Sequence, residues 1–167
     1  METKKLTRDR LCELLDVDTE KGTFVWKHTM GGKAKRGQEA GALSENGYVV
    51  IGIDKKDYLA HRLMWLYVYG DMPLLNIDHI DRDRTNNVPT NLRIATEKQN
   101  AENRSLKSKN KSGHRGVFFR EYLKSKPWHV SIMNNRKTIH IGYFSTLEEA
   151  IEARRAAEDK YFTHHTK

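Results

Sequence analysis

Asp78 and His79 stand side by side in the apolar run Asn76-Ile77-Asp78-His79-Ile80, with Asn91 twelve and Asn100 twenty-one residues beyond the histidine. A carboxylate beside an imidazole, joined by two spaced carboxamides, can hold one hard cation and one general base. Mg²⁺ takes oxygen ligands and keeps several of its waters, so a carboxylate and an amide oxygen suffice for it. A neutral imidazole can take a proton from water. That is the minimum equipment for hydrolysing a phosphodiester. An isolated Asp-His pair is more often a carboxylate that orients a surface histidine; the spacing to Asn91 and Asn100 sets this pair apart.

Those four residues need a frame. Residues 77–80 read as a short strand, 81–90 as a polar loop with Asn86-Asn87 and Pro89, and 92–95 as a second strand. Asn86 and Asn87 read as turn formers. Thr96-x-x-Gln99 is a capping box that opens a helix and puts Asn100 one turn into it. Such a strand–loop–strand–helix unit sets His79 and Asn100 on facing elements. Upstream, Thr7 caps a helix running to about Leu15, with Leu11, Leu14 and Leu15 on its buried side. Residues 23–27 read as a strand and 30–41 as a loop. Asn46-Gly47 is a turn before an alternating strand at 48–53, and 54–57 turns into a strand that ends near His61. A helix over 62–69 stops at Gly70, with Pro73 just beyond.

Charge divides the chain unevenly. Residues 1–103 carry 16 basic and 16 acidic side chains, whereas 104–167 carry 14 basic and 6 acidic, so the net charge of +8 lies wholly in the latter part. Between Arg104 and Lys137 ten basic residues meet Glu121 alone. A block this one-sided reads as a footprint for a polyanion. The stretch 104–112, Arg-Ser-Leu-Lys-Ser-Lys-Asn-Lys-Ser, has little to bury and reads as a linker lying along a phosphate backbone through Arg104, Lys107, Lys109 and Lys111.

From Gly113 a second unit begins. A strand at 116–120 precedes a hairpin, 128–133 and 136–144, about Asn134-Asn135, since asparagine tolerates positive φ. In that register Val130 opposes Ile139 and Trp128 opposes Ile141 on an apolar face. His129, Ser131 and Met133 then share a polar, basic face with Arg136, Thr138 and His140. Ser145-x-x-Glu148 caps a last helix, whose Leu147, Ala150, Ala153, Ala157 and Tyr161 form an apolar stripe to pack on the Val130/Ile139 face. A sheet ribbon of this kind fits a major groove.

Composition removes several alternatives. Cys12 is the only cysteine, so an intramolecular disulfide and a zinc site built on cysteine pairs are both excluded; a small buried thiol is expected. No apolar run approaches membrane-spanning length and no signal-type apolar core opens the chain. An intracellular protein without a membrane partner is expected.

Together Ile77-Asp78-His79-Ile80-Asp81, Thr85-Asn86-Asn87, Asn91-Leu92-Arg93, Gln99-Asn100 and Asn103 resemble the HNH endonucleases, in the subgroup of phages and free-standing homing enzymes. Leu6-Thr7, Gly47-Tyr48 and His61-Arg62-Leu63 agree with it. Arg115-Gly116-Val117, Trp128, Ile141-Gly142-Tyr143-Phe144 and Thr146-x-Glu148-Glu149-Ala150 resemble the DNA-binding domain of plant ethylene-response factors. The first resemblance implies a ββα-metal (His-Me finger) fold with one divalent cation, Asp78 and Asn100 as its ligands, His79 as the general base and Asn91 holding the loop that orients it. Asn100 replaces a histidine common in that family, which favours Mg²⁺ or Mn²⁺ over softer ions, with no structural zinc.

The implied whole is α+β: an HNH domain over 1–103 (a helix and hairpin region over 1–70, the ββα-metal core over 74–103), a basic linker over 104–112, and a sheet domain over 113–163. Its activity would be site-preferring cleavage of double-stranded DNA, by a monomer or a homodimer, without a small-molecule cofactor. His61 and Arg62 either reach the scissile phosphate or pack, and Arg93 joins the DNA-facing candidates. Asn103 either binds metal or phosphate or serves as cap or surface, and His164-His165 read as a tail without ligands. Arg115 and Arg120 are implied base or phosphate contacts, and Trp128 lies near the backbone or in the core. Ser131 and Met133 stand at sheet positions often charged in the plant domains, so a different target is implied. The rival readings are an inactive HNH-fold DNA-binding regulator and a structure-selective nuclease such as a junction cutter.

Overall fold

The computed structural model describes residues 5–32, 34–103 and 110–163. The fold is mixed α and β, and the chain divides into two compact units, 1–95 and 96–167. Arg104, Lys107, Lys109 and the His164-His165 tail lie outside the described residues.

In the first unit Thr7 caps helix α1 (Arg8–Leu14), its hydroxyl accepting from the Arg10 N–H. The chain leaves the helix at Leu15 directly into an antiparallel hairpin of β1 (Leu15–Asp18) and β2 (Thr23–Trp26). The sequence reading missed β1, because a leucine-rich helix exit masks the start of a four-residue strand. Three further strands, β3 (Ala42–Leu43), β4 (Val49–Ile53) and β5 (Lys56–Leu59), form a second antiparallel sheet in the order β3-β4-β5. Asp54 and Lys55, both at positive φ, make its tight turn.

Helix α2 (Ala60–Tyr69) follows at once and ends on Gly70 at φ 88°, a left-handed cap that costs glycine little. It begins two residues earlier than expected, which brings His61 into its first turn. Its Leu63, Met64 and Leu66 are buried with Leu11, Leu15, Phe24, Ile51 and Ile53 in one core. Each such side chain contributes roughly 1.5–3 kcal/mol. Cys12, expected inside, is only half-buried because it sits on the flank of α1 between the inward Leu11 and Leu14. Strands β6 (Asn76–His79) and β7 (Leu92–Ala95) pair antiparallel, with His79 opposite Leu92 and Asp78 opposite Arg93.

The second unit opens with α3 (Glu97–Glu102), whose Thr96 and Gln99 form the expected capping box. Strands β8 (Val117–Phe119), β9 (Trp128–Asn134) and β10 (Lys137–Phe144) form an antiparallel sheet in the order β10-β9-β8, and α4 (Leu147–Tyr161) packs on one face. Val117, Val130 and Ala150 make one small core; Ile132, Ala157 and Phe162 make a second.

Three local readings need correction. The hairpin turns at Asn135-Arg136, both at positive φ, so Ile139 opposes Ile132 and not Val130. A bulge at Ile141 then sets Gly142 against Val130 and Phe144 against Trp128. The shift is an even one, so His129, Ser131 and Met133 keep their face while Arg136 leaves the strand for the turn. Finally, α4 is capped by Thr146 with Glu149, one residue later than expected.

Candidate active site

His79 ends β6 at 4% exposure, where the chain leaves the strand for the 80–91 loop. Its Nε2 lies 3.1 Å from Oδ1 of Asn87, a residue itself buried. The Asn87 amide donates to the Thr85 carbonyl, which orients its oxygen toward the imidazole. Nε2 is therefore the donor of that contact, and Nδ1 is the nitrogen left with the lone pair in the corresponding neutral tautomer. Gly22, at φ 70° in the β1–β2 turn, backs this arrangement: a Cβ there would fall 2.5 Å from the Val88 nitrogen and 2.6 Å from the Asn87 carbonyl carbon.

Asn91 is the hub of the loop. Its Oδ1 accepts from the Asp81 N–H at 3.0 Å, and its Nδ2 donates to Asp81 Oδ1 at 2.9 Å and to the Asn86 carbonyl at 2.8 Å. Asp81 also accepts from Asn86 Nδ2 and from the Asp83 N–H. Desolvation opposes ionisation of Asp81. The hydrogen bonds from Asn86, the Asp83 N–H and Asn91, with His79 nearby, outweigh it and hold the carboxyl below its ordinary range.

Asp78 and Arg93 are cross-strand neighbours, and Arg93 donates to Asp78 Oδ2 through Nε at 3.0 Å and NH2 at 2.7 Å. Arg62 of α2 donates to the Pro73 and Leu75 carbonyls and so fixes the segment entering β6. His61 is 5% exposed, its ring 5.0 Å from that of His79 in an edge-on arrangement. Tyr48 completes the cluster at 5.4 Å from His61 and 6.0 Å from His79. Burial, then the neighbouring His79 and Arg62, push the His61 pKa down to about 3, so this ring stays neutral.

The second unit holds the remaining candidates. Asn100 lies half-buried one turn into α3, its N–H bonded to the Thr96 carbonyl, and Asn103 is the buried C-cap. Arg115 donates to the Ala101 and Glu102 carbonyls, and the Glu102 carboxylate accepts from Thr163. Trp128 packs against the core, with Phe119 edge-on at 5.0 Å. Lys111, Arg120, Arg136, Thr138 and His140 are exposed; His129 and Ser131 are half-buried. Phe118, His129 and His140 stack across the three strands, with Arg120 over the Phe118 ring.

Sequence reasoning missed Asn87, Asp81 and Tyr48. Gly47-Tyr48 reads as turn and strand with no role of its own, and the Asn87 signal, an amide eight residues past a histidine, is indistinguishable from turn chemistry until the loop closes.

Residues 58–102 match the family model described as HNH endonuclease. An uncharacterized HNH endonuclease of Acanthamoeba polyphaga mimivirus is 34% identical over 112 residues, 66% of this chain and 56% of that protein. A solved structure of DNA binding and cleavage by the HNH homing endonuclease I-HmuI is 28% identical, covering 53% of this chain and 50% of that one, with a TM-score of 0.41. The chain thus spans about half the length of the relatives it matches. No helix among the described residues is long and apolar enough to cross a membrane. The match falls on the strand that carries His79, the Asn91-centred loop and α3, so residues 58–102 are similar to the HNH endonucleases.

Proposed function

We propose that this chain is a divalent-metal-dependent, site-preferring DNA endonuclease of the phage or homing type, with His79 as general base. The observation that carries the reading is the buried Asn87–His79 hydrogen bond, which takes the Nε2–H and turns Nδ1 to the role of base. In the reaction Nδ1 takes the proton of the attacking water, while Asn87 retains the Nε2 proton and so keeps the ring in one tautomer. Asn91 and Asp81 hold the loop closed around that bond.

Asp78 and Asn100 are the oxygen donors that the HNH resemblance assigns to the cation. Their chemistry fits a hard ion, with Arg93 sharing the Asp78 carboxylate through Oδ2. Mg²⁺ or Mn²⁺, which keep several waters when bound through one or two protein oxygens, would suit these donors. When bound, such a cation stabilises negative charge on the leaving oxygen and the phosphorane. The sheet domain over 113–163, read as ethylene-response-factor-like, supplies duplex recognition through its sheet and the basic residues before it. The +8 excess within residues 104–167 supports that division of labour.

Incubation of supercoiled plasmid with the protein and Mg²⁺, with EDTA and His79→Ala as controls, tests the reading. Nicking or linearisation by the native chain alone is expected. A native chain that binds duplex DNA and never cuts it would instead establish the inactive regulator.

A further inference from the structure

On the sheet face opposite α4, His129 and His140 are stacked with ring centroids 5.0 Å apart and planes 14° apart, and His129 Nε2 lies 3.0 Å from His140 Nδ1. One proton occupies that contact, which allows two arrangements. In one, His140 Nδ1–H donates and His129 must carry its own proton on Nδ1. That nitrogen is buried and has no hydrogen-bond partner among the described residues. A buried N–H without an acceptor is the more costly orphan; an unused lone pair is better tolerated. The second arrangement therefore prevails: His129 Nε2–H donates to His140 Nδ1, and the neutral His140 carries its remaining proton on Nε2.

His140 is exposed, on the face that Thr138 and Met133 share, within the chain region that holds the whole positive excess. We propose that His140 is a specificity-determining residue that offers Nε2–H to guanine in the major groove, with His129 as the positioning residue that fixes its tautomer. This rests on the reading of the second unit as a duplex-DNA module. Guanine is the base that fits: it presents two adjacent acceptors, O6 and N7. Adenine sets an amino donor beside its N7, thymine flanks O4 with a methyl group, and cytosine offers only a donor. Phe118 on the other side of His129, 6.0 Å between centroids and 27° between planes, keeps that ring from turning away.

The test is selection from a random-sequence duplex pool by the full chain in EDTA, so that binding is read without cleavage. The native chain should enrich a motif with guanine at one position. His140→Ala should lose that guanine alone and bind the native motif about tenfold more weakly, the equivalent of one good contact. Replacing that base by 7-deazaguanine should weaken native binding and leave His140→Ala unaffected. His129→Gln, which retains a donor, should keep the guanine; His129→Phe, which retains a ring without a donor, should relax it to any acceptor base. Nitrogen-15 spectra at neutral pH should show His140 protonated on Nε2. An unchanged motif in His140→Ala, or a His140 protonated on Nδ1, overturns the assignment. A native chain that enriches no duplex sequence removes the duplex-recognition reading itself, and the assignment falls with it.

Discussion

Each unit holds a pair of histidines with ring centroids 5.0 Å apart, and the two pairs present opposite chemistry. His61 and His79 meet edge-on in a buried cluster, and a third group, Asn87, claims the Nε2 proton of His79. His129 and His140 lie edge to edge with near-parallel planes on an open sheet and hydrogen-bond each other. In the buried pair the proton lies on Nε2 of His79, toward Asn87; in the exposed pair the proposed tautomer presents Nε2–H of His140. The imidazole does not decide its own role. The neighbour that takes one nitrogen decides what the other has to offer.

The strongest way to break this comparison is to exchange the pairs' duties. His79→Ala should lower plasmid cleavage by about 10²- to 10⁴-fold, the usual contribution of a positioned base, and leave duplex binding intact in a gel-shift assay. The double variant His129→Ala/His140→Ala should cleave at the native rate in single-turnover reactions at saturating protein. A large loss of cleavage there, with binding saturated, would mean the stacked pair takes part in the chemistry.

The next effect concerns the group that fixes the buried tautomer. Asn87→Ala removes the acceptor for His79 Nε2 and should cost about 10- to 100-fold in cleavage rate, the worth of a buried hydrogen bond of about 1–3 kcal/mol. DNA affinity should not move. Gly22→Ala should act in the same direction through backbone crowding at Asn87 and Val88, although it lies on neither strand of the hairpin. Native cleavage by both variants would make Asn87 a turn former only.

How much of this was legible depended on range. The Thr7, Thr96 and Thr146 caps rest on contacts within four residues, and the first two were placed correctly from type and spacing. The third slipped by one because Ser145 and Glu148 mimic the same pattern. The polar sheet face survived a wrong register, since moving the turn from Asn134-Asn135 to Asn135-Arg136 shifts each partner by two up to His140, and the bulge at Ile141 absorbs the odd residue beyond it. Contacts made at a distance were not legible. Asn87 acquires its role only when the loop closes on His79, and Arg154, in the middle of an apolar stripe, reads as surface until its partners are seen. Its Nε donates to the Arg115 carbonyl, NH1 to the Ser131 carbonyl, and NH2 pairs with Glu158 at 2.9 Å.

Arg154 gives the third test, confined to the second unit. Its side chain is 6% exposed. Arg154→Ala leaves two carbonyls and the Glu158 carboxylate without their donor, at a cost of about 3 kcal/mol. Gly116, at φ 74° with Ser131 and Arg154 against it, should tolerate alanine no better. Hydrogen exchange should show protection lost in β8, β9 and α4 and retained in α2 and β4. Equal loss in both sets would mean the two units unfold as one.

The smallest effect, taken per unit of pH, separates the pairs by burial. Folded His61 stays neutral down to about pH 3, whereas in the unfolded chain an imidazole takes up a proton below about 6.5. Between those values the unfolded state binds more protons. Stability is therefore intact above about 6.5, falls as pH drops through the window, and levels off below about 3. The slope from this residue is at most about 1.4 kcal/mol per pH unit. His129 is pushed down too, by desolvation, then by His140 and Arg120, but it is only half-buried and water screens it. Denaturant titrations at several pH values should thus find that His61→Phe flattens the acid limb and that His129→Phe hardly alters it. The reverse order would place the stronger desolvation on the sheet face, and the contrast between a sealed base and an open reader would no longer hold.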